Sequence, residues 1–86
     1  MENYDQKLKD ITGLLEDNWT VEGYQNAGMG WVCTLTYMSQ QFTLHSERGW
    51  VDIYKGKFVD NQLLGSQKHS SKIVKLIKQN LDNKYT

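Results

Sequence analysis

The sequence predicts an α+β fold, an antiparallel β-meander of four or five strands flanked by an N-terminal and a C-terminal helix. Three observations carry that prediction. Residues 31–58, WVCTLTYMSQQFTLHSERGWVDIYKGKF, hold most of the aromatic and β-branched residues and alternate apolar with polar between turn signals. On either side of this stretch, apolar residues recur at helical spacing instead. With 86 residues the chain is one domain with a thin core, since a chain of this size buries only about 60–65% of its unfolded surface.

Tyr4, Leu8, Ile11 and Leu15 follow a 4-3-4 spacing and Leu14 widens the stripe, which predicts a helix over 4–16. Asn3 is the expected N-cap, and Glu2 and Asp5 suit the positive end of the helix dipole. Residues 19–25 form a first strand with Trp19 and Val21 on one face, and the Gly-rich stretch 26–30 turns the chain. In 31–38 the set Trp31, Cys33, Leu35 and Tyr37 is assigned to the core. Phe42 and Leu44 then point inward, with Thr43 and His45 outward.

The face assignment of residues 50–54 matters most for function. Val51 and Ile53 are the uniformly apolar pair and go inward, which leaves Trp50, Asp52 and Tyr54 on the opposite face. Lys55-Gly56-Lys57 reads as a tight turn, with Phe58 and Val59 offering a fifth strand. Residues 61–70 read as a polar connection. Ser70 or Ser71 is expected to cap a last helix whose apolar positions are Ile73, Leu76, Ile77 and Leu81, with Val74 at the margin of the stripe.

Composition narrows the chemistry. No apolar run approaches the length of a membrane span and no leader precedes the domain, so a cytoplasmic location is expected. Cys33 is the single cysteine and sits mid-strand, which predicts an inert packing thiol rather than a nucleophile or zinc ligand. His45 and His69 are the two histidines; no Ser stands in a nucleophile elbow, and no HExxH, DxDxDG or GxGxxG occurs. The sequence therefore predicts no catalytic, metal or cofactor residues. Pro is absent and Ala27 and Arg48 are the only Ala and Arg, a bias that points to an AT-rich coding sequence such as that of a low-GC bacterium or its phage.

Net charge is zero but polarised, with six acids against two lysines over 1–22 and five lysines against one acid over 68–86. Two terminal helices lying side by side would partly neutralise each other. The stretch Lys68, His69, Ser70, Ser71 and Lys72, continued by Lys75 and Lys78, places hydroxyls, an imidazole and lysines at a helix start, a setting that favours an anion. A helix, then strands, then a lysine-opened helix is loosely similar to the order of double-stranded-RNA-binding domains, which have three strands and an alanine-rich second helix where Ile73-Val74 stands here.

The expected function is a small non-catalytic domain that binds a host protein or protein complex, as a monomer or homodimer. Inhibitors of the phage or mobile-element anti-defence kind, anti-CRISPR proteins among them, share this profile of size, charge and codon bias. Trp50, Asp52, Tyr54, Thr36, His45 and Arg48 are the candidate partner-binding residues. The alternative is a nucleic-acid-binding module using Lys68, His69, Ser70, Ser71, Lys72, Lys75 and Lys78.

Overall fold

The computed structural model describes residues 4–15, 18–56 and 62–81. The chain runs α1 (Gln6–Leu14), β1 (Trp19–Ala27), β2 (Gly30–Tyr37), β3 (Gln40–Glu47), β4 (Trp50–Lys55), β5 (Gln62–Gln67) and α2 (Ser70–Gln79). The strands form one open antiparallel sheet in the order β1-β2-β3-β4-β5, so every strand pairs with its neighbour in sequence. Both helices pack on one face of that sheet and against each other.

Alternation decides which face. Trp31, Cys33, Leu35, Phe42, Leu44, Val51 and Ile53 meet Leu8, Ile11 and Leu15 before the sheet and Ile73, Val74 and Ile77 after it, all buried. Burying each such side chain contributes roughly 1.5–3 kcal/mol. The predicted inward set holds through β2, β3 and β4 except at Tyr37, which is half-buried at the end of its strand. At the far end Trp19 stacks on Tyr37, ring centroids 4.9 Å apart, and closes the core over Phe42.

Several boundaries differ from the sequence-based expectation. The fifth strand is Gln62–Gln67, where a connection was expected; Phe58 and Val59 lie outside the described residues. Leu64 is an extra residue between Leu63, which pairs with Tyr54, and Gly65, which pairs with Ile53. This bulge breaks the alternation by which the strand would have been recognised. Gly65 also lets α2 come close, since a Cβ there would stand 3.3 Å from the Leu76 side chain.

The first hairpin is tighter than the predicted turn over 26–30, and the next two are equally short. β1, β2 and β3 are joined to their successors by the two-residue turns Gly28-Met29, Met38-Ser39 and Arg48-Gly49, so Asn26, Ala27, Gln40, Gln41, Ser46 and Glu47 belong to strands. Arg48 and Gly49 both have positive φ, the pattern of a type I′ turn that matches strand twist. Where β2 begins, Gly30 crosses β3 so closely that a Cβ would lie 1.7 Å from the Ser46 carbonyl oxygen.

The helix starts are also corrected. Asp5, not Asn3, caps α1, its carboxylate accepting from the Lys7 backbone N–H at 2.9 Å. At α2 the cap position is His69, with Ser70 and Ser71 already helical, and Val74 is buried while Leu76 is half-buried. Among the described residues, the acids at α1 do not pair with the lysines of α2: Asp5 caps its own helix and Asp10 accepts from Gln6; Glu2, Glu16 and Asp17 lie outside the described residues. Lys7 crosses instead to backbone, donating to the carbonyls of Gly49 and Lys68.

Candidate interaction face

With both helices on one side, no element among the described residues lies over the opposite face of the sheet. Pairing register sets its side chains in rows. Gln25, Val32, His45, Asp52 and Ser66 form one row; Glu22, Thr34, Thr43, Tyr54 and Leu63 form the next. Beyond the first row, Glu47 pairs with Trp50 at the Arg48-Gly49 turn. Beyond the second stand Thr20, Thr36 and Gln41.

The β4 end carries the exposed apolar surface. Trp50 is 52% exposed and Leu63 56%, with Tyr54 half-buried between them. Few isolated strands leave a Trp this open, and Trp and Tyr are the residues most enriched at binding hot spots. Asp52 sits between the two aromatics along the strand. The Ser66 hydroxyl donates to its Oδ1, and His45 Nδ1 lies 3.9 Å from its Oδ2. The carboxylate, not the imidazole, holds the serine hydroxyl, so this row orients Asp52 and does not activate Ser66 as a nucleophile.

Of the six predicted contact residues, the structure brings Trp50, Asp52, Tyr54 and His45 together, with Arg48 exposed at the adjoining turn. Thr36 stands apart. It lies six residues along β2 from Gly30, the residue in register with Glu47 and Trp50, which puts it roughly 20 Å from Trp50 at about 3.3 Å per residue. Its hydroxyl donates to Glu22 Oε1 at 2.9 Å. Thr43, assigned outward, does face this side but is 1% exposed, its hydroxyl donating to the Gly56 carbonyl at 2.8 Å.

Three residues of the face escaped the sequence reading. Leu63 and Ser66 come from the strand that the bulge concealed. Glu47 closes β3 beside the Arg48-Gly49 turn, and its place two residues after His45 puts it on the same face of the extended chain. Toward β1 the sheet dips into an open concavity of about 330 Å3 lined by Gly23, Gln25, Val32, Cys33, Thr34 and Thr43. It forms where Gly23, at φ +61°, and Tyr24 together oppose the single residue Cys33 in a β-bulge.

Of the lysine-rich candidates, those on α2 lie on the helix-bearing side of the molecule and Lys68 lies at the rim beside Gly49. Lys72, Lys75 and Lys78 are exposed along α2, away from its buried stripe Ile73, Val74 and Ile77. Lys68 and His69 are exposed before it, Ser70 is half-buried, Ser71 is exposed, and His69 makes no side-chain capping bond. Among the described residues no three His, Cys, Asp or Glu side chains converge to hold a metal, and no helix is long and apolar enough to cross a membrane. Burial pushes the Cys33 thiol up to about 12. The chain matches no protein-family model, no curated protein and no solved structure.

Proposed function

We propose that this chain is a small non-catalytic domain that binds another protein through the uncovered sheet face and acts as its inhibitor or regulator, in the manner of compact phage and mobile-element anti-defence proteins. One observation carries the reading: Trp50 and Leu63, each more than half exposed, flank Tyr54 and an oriented Asp52 on a face that no helix or strand among the described residues covers. Removing a side chain that is half in water costs the fold little, less than about 1 kcal/mol, yet truncating an anchor in an interface centre typically costs about 2 kcal/mol or more of binding. The test is affinity capture from a host lysate by the wild-type chain and by a Trp50→Ala, Tyr54→Ala double variant with an unchanged melting temperature. Proteins retained by the first and lost by the second support the reading. Identical captured sets overturn it.

A second reading, nucleic-acid binding, is favoured by the exposed row of Lys72, Lys75 and Lys78 on the helical side. It predicts duplex binding that weakens with ionic strength at a log–log slope of about −0.9 per phosphate contact and disappears on charge reversal of Lys72 and Lys75. Absence of micromolar binding at about 50 mM salt removes it.

A further inference from the structure

The uncovered face has a sign. Within the strands its outward positions hold Glu22, Glu47 and Asp52 and no lysine or arginine. The one strand lysine, Lys55, pairs with Phe42 and therefore belongs to the register of the helix-bearing side. Among the described residues, the cations nearest to it, Arg48 and Lys68, stand at the rim near the β3–β4 turn. Lys72, Lys75 and Lys78 are on the far side of the molecule.

We propose that the partner of this face is a cationic protein segment, and that an arginine of the partner seats over Asp52 between the rings of Trp50 and Tyr54. This rests on the reading of the face as a protein-binding surface and adds the chemistry of what it binds. Trp50, Asp52 and Tyr54 are two residues apart on one strand face, so the Cα of each aromatic lies about 7 Å along the strand from that of Asp52. A guanidinium paired with Asp52 is then within reach of both ring faces. Its planar fork gives two donors to a carboxylate and a flat face to an aromatic, which a lysine ammonium does not.

The surroundings fit that guest. Asp52 Oδ1 is held by Ser66, and its side chain is 38% exposed, so the carboxylate is set in place while still open to a partner. Leu63, opposite Tyr54, offers apolar surface to the aliphatic stem of the arginine. Glu47, opposite Trp50, provides a second carboxylate for a neighbouring cation. The same acids repel phosphate, so this face is not a nucleic-acid surface. A second copy presenting α2 would meet the charge requirement, but that contact is head-to-tail and does not close on itself.

The test titrates a short oligoarginine peptide, its lysine counterpart and its glutamate counterpart into the protein at about 50 mM salt, read by amide NMR. The arginine peptide should move the amides of Glu47, Trp50, Asp52, Tyr54 and Ser66 and bind more tightly than the lysine peptide, while the glutamate peptide leaves them in place. Asp52→Asn and Trp50→Ala, with unchanged melting temperatures, should each weaken arginine-peptide binding about tenfold, whereas Lys75→Gln should not. Absence of shifts, shifts centred on Asp5 and Asp10 of α1, equal binding of the arginine and lysine peptides, or undiminished binding by Asp52→Asn overturns the proposal. So does sedimentation of the free protein as growing chains that Asp52→Asn and Lys75→Gln both abolish, which assigns the face to a second copy. Lysate capture that depends on Trp50 but not on Asp52 leaves the protein-binding reading standing and removes only the arginine.

Discussion

Lys7 on α1 donates from its Nζ to the backbone carbonyl of Lys68 at 2.6 Å, joining two residues 61 apart in the chain. The same ammonium reaches the Gly49 carbonyl at 3.2 Å, so one side chain ties the first helix to the β3–β4 turn and to the segment entering α2. Hydrogen bonds from charged donors contribute more than neutral ones, and partial exposure reduces their worth. Lys7→Met, which keeps the aliphatic stem, should lower stability by about 1 kcal/mol. Urea denaturation measures it, and hydrogen exchange should quicken first at the start of α2. An unchanged midpoint would show the bond to be incidental.

Gly30 tests the closest backbone approach in the sheet. Overpacking a core costs about 1–3 kcal/mol when side chains can move aside. At Gly30 the obstacle is the Ser46 carbonyl of the paired strand, so Gly30→Ala should cost at least about 3 kcal/mol, and Gly13→Ala, with nothing within 4 Å, should be neutral or stabilising. Thermal melts of the two variants make the comparison.

Cys33 gives a pH dependence with a defined sign. Its ordinary value is 9.0 and burial raises it to about 12, so the folded state keeps a proton that the unfolded chain releases above pH 9. The contribution is therefore fully present below pH 9 and lost as pH rises from 9 toward 12. At pH 10 the wild type should have lost about 1 kcal/mol through this group, a decline absent from Cys33→Ala. Below pH 9 the native thiol should react with a disulfide reagent only at the rate of unfolding. Rapid labelling of the folded chain would place Cys33 at the surface.

On β4, the two opposite faces should separate stability from binding. Ile53 is fully buried, and Ile53→Ala should cost about 2–5 kcal/mol by leaving a cavity. Trp50→Ala should change stability by less than about 1 kcal/mol, because the ring is already half in water. Paired denaturation curves decide this, and a Trp50→Ala variant that unfolds would mean that the ring supports the fold.

The faces of β2, β3 and β4 were legible in sequence because a strand with one covered side must alternate. That alternation was enough to put Trp50, Asp52 and Tyr54 together on the uncovered side. What stayed hidden were the places where backbone geometry overrides pattern. Leu64 adds a residue to β5, and the Gln62–Gln67 stretch then reads as a loop. Thr43 obeys the alternation yet is buried, because its hydroxyl finds the Gly56 carbonyl across a turn. Thr36 shared a face with Trp50 in the sequence reading, but distance along the strands depends on register, which turn lengths fix and periodicity does not.

The meander order has a kinetic consequence. Every strand pairs with the strand before it in sequence, so each hairpin closes a short loop, and such local contacts form early and at low entropic cost. The packing of α1 on α2 joins the two ends of the chain and is unfavourable until the sheet has brought those ends near. The sheet should therefore assemble first, with the helix pair docking late, so that Ile73→Ala or Leu8→Ala would act mainly by speeding unfolding. The uncovered face would then be complete before the core behind it is sealed.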